Sequence, residues 1–170
     1  LLIDHPPLSY YLNSILLLPL KFDENIQYND WCYKTGKNVL FDSGYNPDKI
    51  LFLSRFPFLF VSIILGIFVF RWATELYGHK SGIFALFLYS FNPSMIAYSG
   101  LATSDFTLAA MVFIATYYFW KLIKSHSMKN LVFASIFFGL SQLSKLTAII
   151  LIPLYIIIGL LAIYKKQSGL

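Results

Sequence analysis

From Ile50 onward five apolar runs follow one another, and charge alternates between the segments that join them. The runs cover 50–70, 81–98, 106–120, 131–144 and 146–164. Arg71, Glu75, His79 and Lys80 separate the first from the second; Lys121, Lys124, His126 and Lys129 separate the third from the fourth; Lys165 and Lys166 follow the fifth. Between the second and third there is no Lys or Arg, and between the fourth and fifth only Lys145. Crossing the hydrocarbon of a bilayer takes roughly 20 apolar residues, and cytoplasmic connectors collect Lys and Arg. The pattern therefore predicts an all-α membrane bundle of five transmembrane helices. The connectors at 71–80 and 121–129 and the end at 165–170 face the cytoplasm, whereas 92–105, the turn at 144–145 and the segment 1–49 face the other side.

Composition agrees. Charged residues make up 12% of the chain and hydrophobic ones 58%, against roughly 25% charged in soluble domains. The net charge of +5 is accounted for by basic connectors, so nucleic acid is not an expected partner and the bilayer is. The one cysteine, Cys32, excludes an internal disulfide and reads as structural. Leu1-Leu2-Ile3-Asp4 lacks the basic and apolar regions of a signal peptide, and the last apolar run is followed within a few residues by Leu170. The sequence thus reads as the N-terminal part of a larger bundle, expected to be inactive by itself.

Before the spans, Leu8 to Leu20 is apolar but bounded by Pro7 and Pro19, which predicts a juxtamembrane helix at the interface. Lys21 to Lys49 is the one polar stretch, rich in turn-formers, and reads as an extramembrane loop. Its Trp31, Tyr33 and Tyr45 suit headgroup anchoring or a ligand.

Between Gly82 and Trp120 the only charged side chain is Asp105. A carboxylate is costly in hydrocarbon, so it belongs at a membrane face, in a wet cavity or beside a cation. It could also cap the helix that follows it. On the topology above, Asp4, His5, Arg55, Asp105 and Lys145 share the noncytoplasmic face. Arg55 and Lys145 suit phosphate binding as well as snorkelling. Asp4-His5 offers two ligand-type side chains for a divalent metal, the one candidate cofactor, although a closed metal site needs more donors. No glycine-rich phosphate loop, metal-spaced Cys/His cluster or serine elbow is present. A carboxylate for proton transfer among cations for a phosphate is the equipment of an enzyme acting on a phosphorylated substrate.

Several short strings, taken together, resemble a family: Asp4-His5-Pro6-Pro7-Leu8 with the aromatic pair after it, Arg55 opening a span, Tyr77-Gly78-His79-Lys80-Ser81-Gly82, Asn92-Pro93-Ser94 with Ala102-Thr103-Ser104-Asp105-Phe106, and Gly139-Leu140-Ser141-Gln142-Leu143-Ser144-Lys145-Leu146-Thr147. They are similar to the protein O-mannosyltransferases and aminoarabinose transferases, glycosyltransferase family 39 and its relatives. The resemblance implies a GT-C fold with a large first external loop, and transfer of a sugar from a polyprenyl phosphate, dolichyl or undecaprenyl, to a protein, lipid or glycan hydroxyl. It implies that Asp105 lines the catalytic cavity together with Asp4, that His5, Arg55 and Lys145 contact phosphate or substrate, and that Asp4 and His5 contact metal. A further acid of the first external loop would precede Leu1. In the aminoarabinose transferases the pair before the prolines is Glu-Lys, so the Asp-His form is closer to the protein mannosyltransferases. The rival readings are a transporter or flippase, with Asp105 and Lys145 as gates, and a noncatalytic scaffold subunit.

Overall fold

The computed structural model describes residues 6–22 and 32–167, and all regular structure among them is helical. Pro7 precedes the first element, α1 (Leu8–Ser14). This helix has seven residues, and turns carry the chain past Pro19, so the expected juxtamembrane helix occupies only the first half of 8–20. A second helix, α2 (Cys32–Phe41), lies inside the polar stretch that reads as a loop in the sequence. The ends of that stretch close on each other. The Tyr45 hydroxyl accepts from the Lys21 amide at 3.2 Å and donates to the Lys21 carbonyl at 3.1 Å, and the Tyr45 ring meets Phe22 edge to face. Tyr45 is thus a local clasp, while Trp31 lies outside the described residues.

Helix α3 (Pro47–Tyr77) is 31 residues long, about 46 Å at 1.5 Å per residue. Asn46 starts it by accepting from the Asp48 amide at 2.9 Å, with Pro47 in the first turn where no amide is needed. The helix extends past the apolar run 50–70, so Arg71 and Glu75 remain on it. Gly78 stops it at φ +90°, a backbone region open to glycine, and α4 (His79–Phe91) turns back along it. A Cβ at Gly82 would run into the Thr74 hydroxyl and stand 2.9 Å from the Phe70 carbonyl, so glycine there lets α4 lie close against α3.

The second apolar run is divided. Asn92 is extended, at ψ 120°, as a residue before proline prefers. Its side chain accepts from the amides of Ser94 at 2.9 Å and Met95 at 3.2 Å, which starts a separate short helix, α5 (Pro93–Ser99). After the connector 100–103 come α6 (Ser104–Ser125), a left-handed His126 at φ 49°, and α7 (Met128–Gln142). The fifth run begins as a 3-10 helix (Leu146–Ile150) and continues as α8 (Leu151–Gln167).

Among the described residues three segments are long and apolar enough to cross a membrane: Pro47–Tyr77, Ser104–Ser125 and Leu146–Tyr164. With 13 and 15 residues, α4 and α7 reach about 20 and 22 Å, short of a hydrocarbon core of about 30 Å. They pack along α3 and α6 respectively.

Two apolar and aromatic clusters join α3 to α6. Val61 and Leu65 of α3 pack on Phe106 and Ala110 of α6, with Leu12 of α1 and Met95 of α5 against them. One or more turns further along both helices, Trp72 meets Phe113, Tyr117 and Trp120. In lipid there is little hydrophobic drive between helices, so such shape and polar contacts carry the association. Most of the remaining surface is apolar and exposed, for example Phe60, Ile63 and Ile67 on α3 and Leu160, Leu161 and Ile163 on α8.

Candidate active site

Asp105 stands in the first turn of α6. The N-cap position is held by Thr103, whose side chain makes no capping bond, so Asp105 does not play the capping role open to it in the sequence. Its carboxylate instead meets the Lys145 ammonium, Nζ to Oδ1, at 2.5 Å. Asp105 is two-thirds exposed and Lys145 one-quarter, so the partner that reaches from the protein side is the lysine. An acid in a first turn also faces the positive end of the helix dipole.

Lys145 is aimed by the turn between α7 and the 3-10 helix. Ser144 is fully buried and donates to the Leu140 carbonyl at 2.8 Å; buried Ser141 donates to Phe138 at 2.6 Å. Gln142 bridges the turn, its Nε2 donating to the Ala148 carbonyl at 2.9 Å. The small polar residues of the fourth run thus satisfy carbonyls at the end of a helix and leave Lys145 extended and free to point at α6.

The same turn receives the N-terminal segment, because the Leu8 amide donates to the Leu143 carbonyl at 3.0 Å. Consequently α1 lies beside the start of α6. Between them is a cavity of about 280 Å³ lined by Ser9, Tyr10, Asn13, Ala102, Thr103, Ser104 and Asp105. Among the described residues the Asp105 side chain is the one carboxylate on that wall, and no Lys or Arg lines it.

Arg55 lies elsewhere at this end of the bundle. It is exposed and lines a separate cavity of about 320 Å³ with Asp48, Leu51, Phe52, Phe56, Leu59 and Gly100. Gly100 begins the connector whose other end, Ala102 to Asp105, walls the first cavity. The two cavities therefore flank one short connector. Asp4 and His5 lie outside the described residues, and among the described residues no group of three or more His, Cys, Asp and Glu could hold a metal ion.

A second polar cluster, which sequence reasoning passed over, lies at the opposite end of α6. The Tyr117 hydroxyl donates to Glu75 Oε1 at 2.7 Å, and Lys121 Nζ reaches the same oxygen at 3.1 Å and Tyr117 at 3.2 Å. Arg71 adds an ion pair at 3.5 Å from the preceding turn of α3. Glu75 is the only acid among the basic residues of the first connector. That isolation is the signal available in the sequence, but its partner across forty-odd residues is not.

Residues 49–168 match the model of a family described as dolichyl-phosphate-mannose-protein mannosyltransferase. The chain belongs to that family. The match covers Arg55, Asp105 and Lys145 and most of the chain, and leaves α1 and α2 outside it. No curated protein and no solved structure matches. Membership of this mannosyltransferase family, with the three long apolar segments, makes the protein an all-α integral membrane protein of glycosyltransferase type.

Proposed function

We propose that this protein transfers a sugar from a polyprenyl phosphate to a hydroxyl acceptor at the noncytoplasmic face of its membrane. The observation that carries the reading is the Asp105–Lys145 pair at the rim of a cavity. That cavity is at the end of α6 away from Arg71, Lys121, Lys124 and Lys129. Asp105 and Lys121 are separated by about 24 Å of helix at 1.5 Å per residue. If the basic end is cytoplasmic, the carboxylate opens on the other side.

In this mechanism the acceptor oxygen attacks the anomeric carbon. A new C–O bond forms, the bond from that carbon to the lipid phosphate breaks, and the phosphate leaves with the electron pair. A carboxylate takes the acceptor proton, and Asp105 is the described group in position to take it or to orient the acceptor. Phosphate is already a good leaving group, so positioning and charge stabilisation supply most of the acceleration. Lys145 and Arg55 serve the phosphate. The Arg55 guanidinium has a fork matched to phosphate oxygens, and its separate cavity suits the lipid-linked part of the donor rather than the reacting acceptor.

Asp4 and His5 belong to the same proposal as substrate or metal contacts. They supply one carboxylate and one imidazole, a donor set that needs at least one more ligand. Asp105 is already engaged by Lys145, so the residues at hand only partly fit a metal, and no step is assigned to one. Activity in EDTA measures the dependence directly.

The decisive experiment uses full-length protein in liposomes with radiolabelled dolichyl phosphate mannose and a hydroxyl acceptor. Label passing to the acceptor with release of dolichyl phosphate is expected, together with its loss in Asp105→Asn at normal membrane abundance. Movement of intact labelled lipid across the bilayer without sugar transfer would show a flippase instead.

A further inference from the structure

Below the cavity that holds Arg55, a second cavity follows along the same side of α3. Arg55 and Leu59 line the upper one, of about 320 Å³, and Ser62, Gly66 and Phe70 line the lower one, of about 490 Å³. Those positions succeed one another at three or four residues, the spacing that keeps side chains on one helix face, so the two cavities share one stripe of α3. Gly66 brings the Tyr89 ring of α4 onto that stripe, since a Cβ there would stand 3.1 Å from it. Met95 and Ile96 of α5 form the other wall. The end of α5 spans the junction, with Ser99 lining the lower cavity and Gly100 the upper. From Arg55 to Phe70 the stripe runs for about 22 Å, from the Asp105 end of the bundle toward the opposite one.

The lower cavity asks for no polar ligand. The Tyr89 hydroxyl donates to the Ser62 carbonyl at 2.9 Å and shares a hydrogen bond with the Ser62 hydroxyl at 3.0 Å, and Ser99 donates to the Ile96 carbonyl at 3.0 Å. Its rim is hydrocarbon, with Ile63, Ile67 and Ile96 more than half exposed. A helix about 10 Å across, lying beside the about 12 Å of α3 from Ser62 to Phe70, would need about 900 Å³. The space therefore suits one chain rather than another helix. The upper cavity supplies the opposite chemistry. Among the described residues Arg55 is the one cation on its wall, and Asp48 stands about 10 Å further out along the helix. An occupant that matches both ends has an anionic head and a single long apolar tail. We infer that the polyprenyl tail of the donor runs down this groove of α3, α4 and α5, with its phosphate at Arg55. This rests on the transferase reading above and adds the path of the tail. Gly100 begins the connector that ends at Asp105, so a lipid seated here holds its sugar on the side of the carboxylate. Solvation gives a lipid chain little reason to leave the bilayer for an apolar groove. Shape and the Arg55 charge decide which lipid stays.

The test locates the tail. Full-length protein in nanodiscs of neutral phospholipid is photolabelled with a polyprenyl phosphate carrying a diazirine a few isoprene units below the phosphate. Label is expected on Ile63, Ile67 or Ile96. Excess unlabelled polyprenyl phosphate should remove it, and excess phosphatidic acid should not. Ile67→Trp fills the groove from a lipid-exposed position about 18 Å along α3 from Arg55. It should weaken polyprenyl phosphate binding about three- to tenfold and leave unchanged the binding of citronellyl phosphate, whose tail is too short to reach it. Label on Phe119, Leu131 or Ile163, in the cleft of α6, α7 and α8, overturns the inference, as does equal competition by phosphatidic acid. A variant that binds both phosphates as the wild type does, or loses both equally, overturns it too. Should Ile67→Trp not fold, the labelled positions in the wild type decide by themselves. Label in the groove without any sugar transfer supports the inference and refutes the transferase reading. Transfer with label elsewhere does the reverse.

Discussion

The Tyr117 hydroxyl donates to Glu75 Oε1 at 2.7 Å, joining α3 to α6 at the end of the bundle opposite Asp105. Both helices run in the same direction there, since Val61 and Leu65 meet Phe106 and Ala110 and Glu75 meets Tyr117 and Lys121 further along. The lower ion cluster therefore fixes the axial register in which α6 presents Asp105. Tyr117 is fully buried against Trp72 and Phe68, so its hydroxyl has no water to fall back on.

Replacing Tyr117 by Phe should lower the midpoint of thermal unfolding in detergent. The bond is to a charged group, worth roughly 1.5–3 kcal/mol in soluble proteins, but polar pairs between membrane helices average about 0.6 kcal/mol. A loss nearer the lower figure is expected, with KM unchanged. A changed KM with unchanged midpoint would make the cluster part of the site rather than its support.

Asp105→Asn and Lys145→Met should each reduce kcat at unchanged membrane abundance, the former by about 100-fold or more if the carboxylate moves a proton. The exposed pair by itself is worth only about 0.2–1 kcal/mol of stability, so thermal midpoints should barely move. A double-mutant cycle on kcat/KM should be non-additive because the two groups touch. Additive losses would show that the groups act separately.

Arg55→Met should raise the KM for the lipid donor more than it lowers kcat, because Arg55 lines a cavity separate from that of Asp105. Equal falls in kcat and kcat/KM would move Arg55 into the reacting centre.

Gly82→Ala should destabilise the α3–α4 pair by about 1–3 kcal/mol. The Thr74 side chain can rotate away from a new Cβ, but the Phe70 carbonyl, 2.9 Å from it, is backbone. Fluorescence-detected size-exclusion chromatography after a heat step reads the loss, and a stability equal to wild type would mean that α4 can slide outward at no cost.

Thr116 and Tyr155 share a hydrogen bond at 2.9 Å, and Phe119 stacks on Tyr155 at 4.5 Å. These contacts tie α8 to α6. Tyr155→Phe should cost about 0.6 kcal/mol and Tyr155→Ala more, each measured as a shift in thermal midpoint. Equal stabilities for the two variants would show that the stack contributes nothing.

Parts of the fold were written locally. Asn46-Pro47 and Asn92-Pro93 are helix starts by the same rule, a capping amide followed by a residue that needs no amide, although reading 21–49 as a loop passed over the first and reading 81–98 as one run passed over the second. Gly78 marks a stop. Within the polar stretch, α2 gave no apolar run to announce it, and the Tyr45 clasp joins residues 24 apart, a closure that no window of sequence contains. Asp105 was conspicuous because it stands alone among apolar residues, and Lys145 because it sits alone between two runs.

The order of apolar runs and basic connectors, by itself, determined that this polypeptide is a helical membrane protein and which charges are grouped at each end, because the cost of burying charge in hydrocarbon acts on each residue through its own chemistry. The tertiary structure alone decided that Lys145 answers Asp105 across forty positions, that Arg55 keeps to a neighbouring cavity, and that α1 closes over the start of α6. Those outcomes depend on how helices of particular length and tilt pack against one another, which is a property of pairs of surfaces and is carried by no single stretch of chain.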